Sequence, residues 1–300
     1  MPSAVEIILM PTLMILLGYF LKKTNVLKQR DRVTLTDIVI YVCLPCMIFM
    51  NLYKADISHD MLMLPVLGLI LSIILAVMAF IYCKIRGYSE KTTWTIILAV
   101  SMMNTGFIGF PVSLGVFGND GLLNAIFFDL STTILFISYG MILVKRFGGN
   151  RRQVLMNAVK FIPVWAVIIA LIFNIFNIEL IYVVENILTY FGDATIALIM
   201  LALGLSLDFR GIGKNISDSL IVSVIKLVIS PIIIYILLRL VNIGGMAFNI
   251  GLLEAGMSTA MNALVLSIMY DLDSDLMASL IFTNIILSLF TLTGIISLLT

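Results

Sequence analysis

Apolar segments long enough to cross a bilayer follow one another along the whole chain, with short polar connections between them. A transmembrane helix needs about 20 mostly apolar residues, and ten segments meet this requirement. Their limits are about 3–21, 33–53, 61–83, 92–116, 121–144, 158–176, 181–207, 217–240, 246–270 and 275–299. The pattern predicts an all-α polytopic membrane protein of ten transmembrane helices, without an inserted soluble domain.

Composition agrees with this class and excludes several others. Of 300 residues, 61% are hydrophobic and 12% are charged, which is far from the composition of a soluble domain. The net charge of +1 gives no indication of nucleic-acid binding. Cys43 and Cys46 form a C-x-x-C pattern, but they lie in an apolar segment and are interpreted as small buried side chains.

The distribution of basic residues predicts the orientation in the membrane. The connections after spans 1, 3, 5 and 7 contain fifteen Lys and Arg residues, whereas the opposite side contains two, Lys54 and Arg239. Basic residues accumulate in cytoplasmic connections. We therefore expect a multi-pass protein of the cell membrane with both termini on the outer side.

An internal repeat divides the chain into two halves. A shift of 154 residues aligns 96–142 with 250–296 without a gap, and eleven positions are identical. Five spans in each half require the halves to run in opposite directions through the membrane, as in secondary transporters. We predict one five-helix repeat over 1–150 and a second, inverted repeat over 151–300.

The fourth span contains residues that disfavour a continuous helix. Asn104, Gly106 and Gly109 precede Pro111, whose missing N–H and bulky ring disrupt the helical bonding to Phe107. This composition predicts a break, although a simple kink or close helix packing would use the same residues. The repeat places Ser258-Thr259-Ala260 of span 9 opposite Asn104-Thr105-Gly106, which favours a second break.

Several motifs in this chain resemble those of the auxin efflux carrier family. They are Asn104–Pro111, Gly115–Gly118, Phe191–Ala194, Leu203–Leu207 and Glu254–Ala263, together with Leu44-Pro45, Lys226 and Pro231. The resemblance covers the whole chain. It implies a scaffold of spans 1, 2, 6 and 7 and a mobile bundle of spans 3–5 and 8–10. A homodimer through the scaffold helices is an expectation.

The resemblance also implies that helices 4 and 9 cross at their breaks and that the mobile bundle moves as an elevator. Family substrates are mostly carboxylate anions. Prokaryotic relatives usually have prolines where this chain has Ser258 and Thr259, so a less sharp break is expected in helix 9, with hydroxyl groups satisfying part of the backbone.

The residues at the two breaks are the predicted substrate site, because half-helix dipoles and free N–H groups suit a carboxylate. This predicted site consists of Asn104, Thr105, Gly106, Gly109, Pro111, Ser258, Thr259 and Asn262. For the two asparagines, a structural role in bonding the broken backbone is an equal alternative.

Four ionisable residues within spans are candidates for coupling or buried charge: Asp129, Glu254, Lys226 and Asp193. We expect Asp129 or Glu254 to bind and release a proton during transport. The alternative for these two acids is an outer vestibule. The alternative for Lys226 and Asp193 is an ion pair that joins helices 7 and 8.

The leading hypothesis is therefore a secondary transporter of an organic anion that is coupled to protons or driven by the membrane potential. A cation/proton antiporter is the alternative, but it needs a carboxylate close to the breaks, and the acids are expected to lie to their side. An ion channel has less support, because no filter-like repeat is present. An enzyme, a cofactor and a metal site have no support, since His59 is the sole histidine.

Overall fold

The computed structural model describes residues 4–206 and 216–300 of the chain. Within these ranges every regular element is helical, and the one β-type pairing is an isolated bridge between Met103 and Thr259. The predicted all-α class is confirmed. Ser3 and Leu207, which are ends of predicted spans, and Arg210 and Lys214, which are two of the fifteen basic residues, lie outside the described ranges.

The chain forms two compact units, each assembled from separate segments. The smaller unit comprises Leu9–Ile57 and residues 156–206, and the larger unit comprises residues 4–8, Ser58–Leu155 and residues 216–300. The resemblance implied the same grouping, with spans 1, 2, 6 and 7 separate from spans 3–5 and 8–10. Each unit therefore takes segments from both halves of the sequence.

The smaller unit is held together by close helix packing. Its helices are α1 (Ala4–Lys23, from Leu9 onward), α2 (Asp31–Ile38), a π-helix (Val39–Cys43), α3 (Leu44–Leu52), the end of α7 (Arg151–Val159), α8 (Ile162–Ile175) and α9 (Tyr182–Ser206). A Cβ atom at Gly18 would lie 2.5 Å from the Leu201 carbonyl oxygen, and one at Gly204 would lie 2.1 Å from that of Ile15. Glycine at both positions lets the backbones of α1 and α9 approach each other.

The larger unit contains the longest helices. They are α4 (His59–Arg86), α5 (Glu90–Ser101), a π-helix (Thr105–Gly109), α6 (Phe110–Phe147), α10 (Ile216–Val224), a π-helix (Ile225–Ile229), α11 (Ser230–Leu240), α12 (Gly245–Ala255), α13 (Met261–Met269) and α14 (Ser274–Leu299). The hydroxyl groups of Ser58 and Ser89 cap the starts of α4 and α5 by accepting backbone N–H bonds from Met61 and Thr92.

Helix α6 is interrupted at Gly118, within the first third of its length. Gly118 has φ 65° and ψ −156°, so the helix direction changes there. A positive φ at this position strongly favours glycine. The interruption lies between the predicted spans 92–116 and 121–144 and separates them.

Six helical segments among the described residues are long and apolar enough to cross a membrane. They are Asp31–Leu52, His59–Arg86, Thr105–Phe147, Tyr182–Ser206, Asp218–Leu240 and Ser274–Leu299. A seventh apolar helix, Ile162–Ile175, is shorter. These helices support a multi-pass membrane protein, whereas ten spans in two inverted repeats remain a prediction.

Candidate functional site at two helix breaks

The predicted break in the fourth span is confirmed. Helix α5 ends at Ser101, and Met102 is extended, with φ −95° and ψ 123°. The chain resumes as a π-helix at Thr105 and continues into α6, where Pro111 occupies the first turn.

The second break lies between the end of α12 at Ala255 and the start of α13 at Met261. Five residues lie between these helices, compared with three between Ser101 and Thr105. The expectation of a break less sharp than prolines would give stays a prediction. Proline is not required, because hydroxyl groups satisfy the backbone as expected. The Thr259 hydroxyl donates to the Ala99 carbonyl at 2.8 Å.

The two breaks lie against each other in an antiparallel arrangement. The Asn104 N–H donates to the Ser258 carbonyl at 2.9 Å, and the Ala260 N–H donates to the Met102 carbonyl at 3.1 Å. Met103 and Thr259 lie between these bonds as the bridged pair. Backbone groups released by each break are therefore satisfied by the other break, as an apolar surrounding requires.

Side chains from other helices satisfy further carbonyl groups at the ends of the broken helices. The Lys226 ammonium donates to the Val100 carbonyl at 2.8 Å, and the Ser230 hydroxyl donates to the Ala255 carbonyl at 2.7 Å. Lys226 is completely buried. A cation at the C-terminal end of a helix is favoured by the helix dipole.

Asp129 lies directly at the first break. Its carboxylate accepts a hydrogen bond from the Thr105 hydroxyl, which also lies 3.3 Å from the hydroxyl of Thr132. The expectation that the acids lie to the side of the breaks was therefore wrong for Asp129. The Gly118 interruption explains the difference, because the helix that carries Asp129 turns and packs against the π-helix that carries Thr105.

Glu254 is completely buried beside the other end of the same π-helix. Its Oε1 accepts a hydrogen bond from the Ser113 hydroxyl at 2.8 Å, while Oε2 has no partner among the described residues. A Cβ atom at Gly109 would lie 2.1 Å from Oε2. Glycine at this position is thus what leaves room for the carboxyl group, and the vestibule alternative is wrong for Glu254.

Two residues of the predicted substrate site place polar atoms without partners at the breaks. Asn104 is 2% exposed and Ser258 is fully buried, and the amide nitrogen of the first and the hydroxyl of the second have no partner within the described ranges. Asn262 is half-buried in the first turn of α13. Buried polar atoms are nearly always bonded to protein or water, so this cluster is suited to holding a polar ligand or water.

Asp193 is separate from this cluster. It is exposed on α9 of the smaller unit, whereas the other predicted site residues belong to the larger unit. The alternative of an ion pair between Asp193 and Lys226 remains a prediction.

Sequence reasoning missed Asn284, which is completely buried on α14. Its amide nitrogen donates to the Thr259 hydroxyl at 2.9 Å, and its carbonyl oxygen has no partner in the described part of the chain. An asparagine within an apolar span was the available signal. Ser113 and Ser230, which bond Glu254 and Ala255, had no such signal because serine is common in transmembrane helices.

Comparison with known proteins identifies the family. The model of the membrane transport protein family matches residues 3–296. The chain belongs to this family. The result confirms the resemblance to the auxin efflux carriers, and it identifies the chain as a membrane transporter and not an enzyme.

Two archaeal relatives agree over nearly their whole lengths. An uncharacterized transporter of Methanothermobacter thermautotrophicus is 39% identical over 292 residues, which are 97% of this chain and 96% of the relative. An uncharacterized transporter of Methanocaldococcus jannaschii is 34% identical over 292 residues, or 95% of each chain. Neither name specifies a substrate.

Proposed function

We propose that this membrane transporter carries an organic anion whose carboxylate binds where the two helix breaks meet, one at 102–104 in predicted span 4 and one at 256–260 in predicted span 9. The observation that carries the proposal is the backbone pairing of the two breaks through Asn104, Ser258, Met102 and Ala260. This pairing brings the first turns of two helices, which begin at Thr105 and Met261, to one place. The first N–H groups of each helix have no intrahelical acceptor and carry the positive end of the dipole.

The unpaired donors at the breaks supply specific contacts for such an anion. The Asn104 amide nitrogen and the Ser258 hydroxyl are buried and available. Asn262 follows the start of α13 and offers a further amide. Together these groups match the requirement of a carboxylate for several donors around two oxygen atoms.

The charges around the breaks support proton coupling. Two acids, Asp129 and Glu254, and one base, Lys226, lie in the same unit as the breaks. With all three ionised, the buried region would carry one excess negative charge and would repel an anion. Binding of a carboxylate is therefore favoured when one acid carries a proton, because unpaired buried charge is costly.

The grouping of the proposed site residues in the larger unit supports an elevator mechanism. All the proposed substrate and coupling residues except Asp193 belong to this unit. A site contained in one compact unit can be carried across the membrane without being taken apart. In this mechanism the smaller unit serves as the scaffold, and its helices are the proposed surface for a homodimer.

A cation/proton antiporter is a second candidate, and the position of Asp129 favours it. A carboxylate at the break, bonded to Thr105, could bind a cation or a proton in turn. The two functions differ in what the protein carries when a pH gradient is imposed. An antiporter responds to Na⁺ or Li⁺, and the proposed carrier responds to an organic acid.

The test is transport in proteoliposomes with an imposed pH gradient, using organic acids chosen by a thermal-shift screen. We expect the gradient to drive uptake of at least one acid by the wild type and no longer to drive it in Asp129→Asn or Glu254→Gln. If both variants respond as the wild type does, proton coupling through these acids is wrong. Proton movement that requires Na⁺ or Li⁺, with no acid transported, would establish the antiporter instead.

The orientation and the inverted repeats form a separate part of the proposal. The eleven identities between 96–142 and 250–296, which include Thr105 and Thr259, support the repeat. In a variant without native cysteines, an impermeant thiol reagent applied outside should label Ile57→Cys and Glu179→Cys. Labelling of Lys28→Cys or Arg151→Cys instead would contradict the orientation.

A further inference from the structure

A cavity of about 320 Å³ lies in the larger unit, between the end of α4, the start of α5 and the end of α6. Three charged side chains line it: Lys84, Glu90 and Arg146. Arg146 and Glu90 form an ion pair, whereas Lys84 has no ion-pair partner among the described residues. The three groups leave one net positive charge, which is suited to a monoanion.

The inner wall of this cavity is apolar. Phe80, Trp94 and Ile97 line it beside the charged groups. The Trp94 ring is supported by an edge contact with Tyr139, with 6.5 Å between ring centroids. Aromatic and basic side chains together are typical of the level at which a membrane protein contacts lipid headgroups.

An exposed apolar stripe extends from this cavity along α4. It consists of Val66, Ile70, Ile73, Val77 and Phe80, which are between 39% and 59% exposed. Their spacing of three and four residues places them on one face of the helix, and Lys84 follows Phe80 by four residues. From Val66 to Phe80 the stripe is about 21 Å long, which exceeds the roughly 15 Å of apolar depth in one leaflet.

We propose that this cavity binds the headgroup of an anionic phospholipid. The phosphate lies between Lys84 and Arg146, and one acyl chain follows the apolar stripe of α4. Lysine and arginine are the usual phosphate ligands of proteins, and Arg146 has donors beyond the Nε that bonds Glu90. A free phosphate has the same headgroup chemistry but makes no use of the stripe.

The experiment is native mass spectrometry of the purified protein in detergent, titrated with phosphatidylglycerol and, separately, with phosphatidylcholine of the same acyl chains. The test variant is Lys84→Gln, and the control is Lys145→Gln. Both lysines are exposed, so both variants should fold.

We expect the wild type and Lys145→Gln to retain one phosphatidylglycerol and to prefer it to phosphatidylcholine. Binding to Lys84→Gln should be about fivefold weaker, which is the usual effect of one basic residue near an anionic lipid. Equal binding by Lys84→Gln, or an equal loss in both variants, would overturn the proposal. Displacement of the lipid by an equal concentration of inorganic phosphate would also overturn it and would indicate a free-phosphate site.

Discussion

The two helix breaks have the same framework but different charges. Thr105 and Thr259 are equivalent in the 154-residue repeat, and each bonds a polar side chain of the next long helix. Thr105 bonds Asp129, 24 residues further along the chain, and Thr259 bonds Asn284, 25 residues further along. The repeat aligns Asp129 with Thr283, so the carboxylate and the amide bond equivalent threonines from positions that are one residue apart.

The residues that precede the breaks show the opposite asymmetry. Val100 in the first half corresponds to Glu254 in the second. The Val100 carbonyl bonds the Lys226 ammonium, while the Glu254 carboxyl bonds Ser113. The predicted repeat therefore aligns the positions at which the backbone opens, and individual substitutions determine where charge is placed. In the proposed mechanism the first feature binds the substrate and the second couples transport to protons.

The largest effect is expected from Gly109→Ala. Gly109 corresponds to Ala263 in the 154-residue repeat, and of these two positions only that of Ala263 has room for a Cβ atom. The new methyl group would lie 2.1 Å from Glu254 Oε2 and displace the carboxyl group from Ser113. We expect loss of transport and a decrease in stability of about 1–3 kcal/mol from overpacking. Thermal unfolding and proteoliposome uptake measure the two effects.

The matched control is Gly294→Ala, since no atom of the described residues beyond its own stretch of helix lies within 4 Å of the position its Cβ would take. It should leave both measurements unchanged. The double variant Gly109→Ala/Glu254→Ala should regain stability but not transport. A double variant as unstable as Gly109→Ala would show that another contact is responsible.

The next largest effect is expected from Asp129→Asn, which makes the two breaks alike in charge. Asp129→Asn gives the first break the amide that the second break has at Asn284. We expect the response of uptake to a pH gradient to decrease roughly fivefold or more, the usual size of coupling between two binding events. Asn284→Asp makes the reverse change at the second break. If uptake by Asp129→Asn responds to the pH gradient as wild-type uptake does, the proposed difference in charge between the breaks does not couple transport to protons.

The two threonines should differ when their hydroxyl groups are removed. Thr259→Val leaves the Ala99 carbonyl and the Asn284 amide without their partner, so stability should decrease by about 1–3 kcal/mol. Thr105→Val should lower stability less, because Asp129 is half-buried and can bond water. Equal decreases in stability, measured by thermal or denaturant unfolding, would show that the two hydroxyl groups contribute equally to stability.

The smallest effect belongs to a surface pair outside both breaks. The hydrogen bond from Lys91 lowers the pKa of Asp271. A lowered pKa stabilises the folded protein above the ordinary pKa of aspartate, and this contribution is lost as the pH falls through the lowered value. Asp271→Asn should therefore decrease the unfolding temperature slightly at neutral pH and not at acidic pH. A decrease comparable to that of Thr259→Val would be inconsistent with an exposed pair.

Much of this arrangement could be predicted from the sequence, and the limits have physical causes. Pro111 and its neighbouring glycines indicated the first break, and the repeat transferred it to Ser258 and Thr259. Distance along a straight span could not predict that Asp129 reaches Thr105, because Gly118 changes the direction of the chain. Neither the space at Gly109 nor the role of Asn284 follows from the sequence, since both depend on contacts between distant helices.

The most direct test of the central claim is the affinity of Asn104→Ala and Asn262→Ala for the organic acid that stabilises the wild type most in the thermal-shift screen. Asn186→Ala is the control, because Asn186 is half-buried on α9 of the smaller unit and its amide donates to the Tyr182 carbonyl of the same helix. Each break variant should bind the acid roughly threefold to tenfold more weakly, the usual effect of one lost hydrogen bond, while the control binds as the wild type does. Unchanged affinity in both break variants would contradict binding of the carboxylate at the breaks.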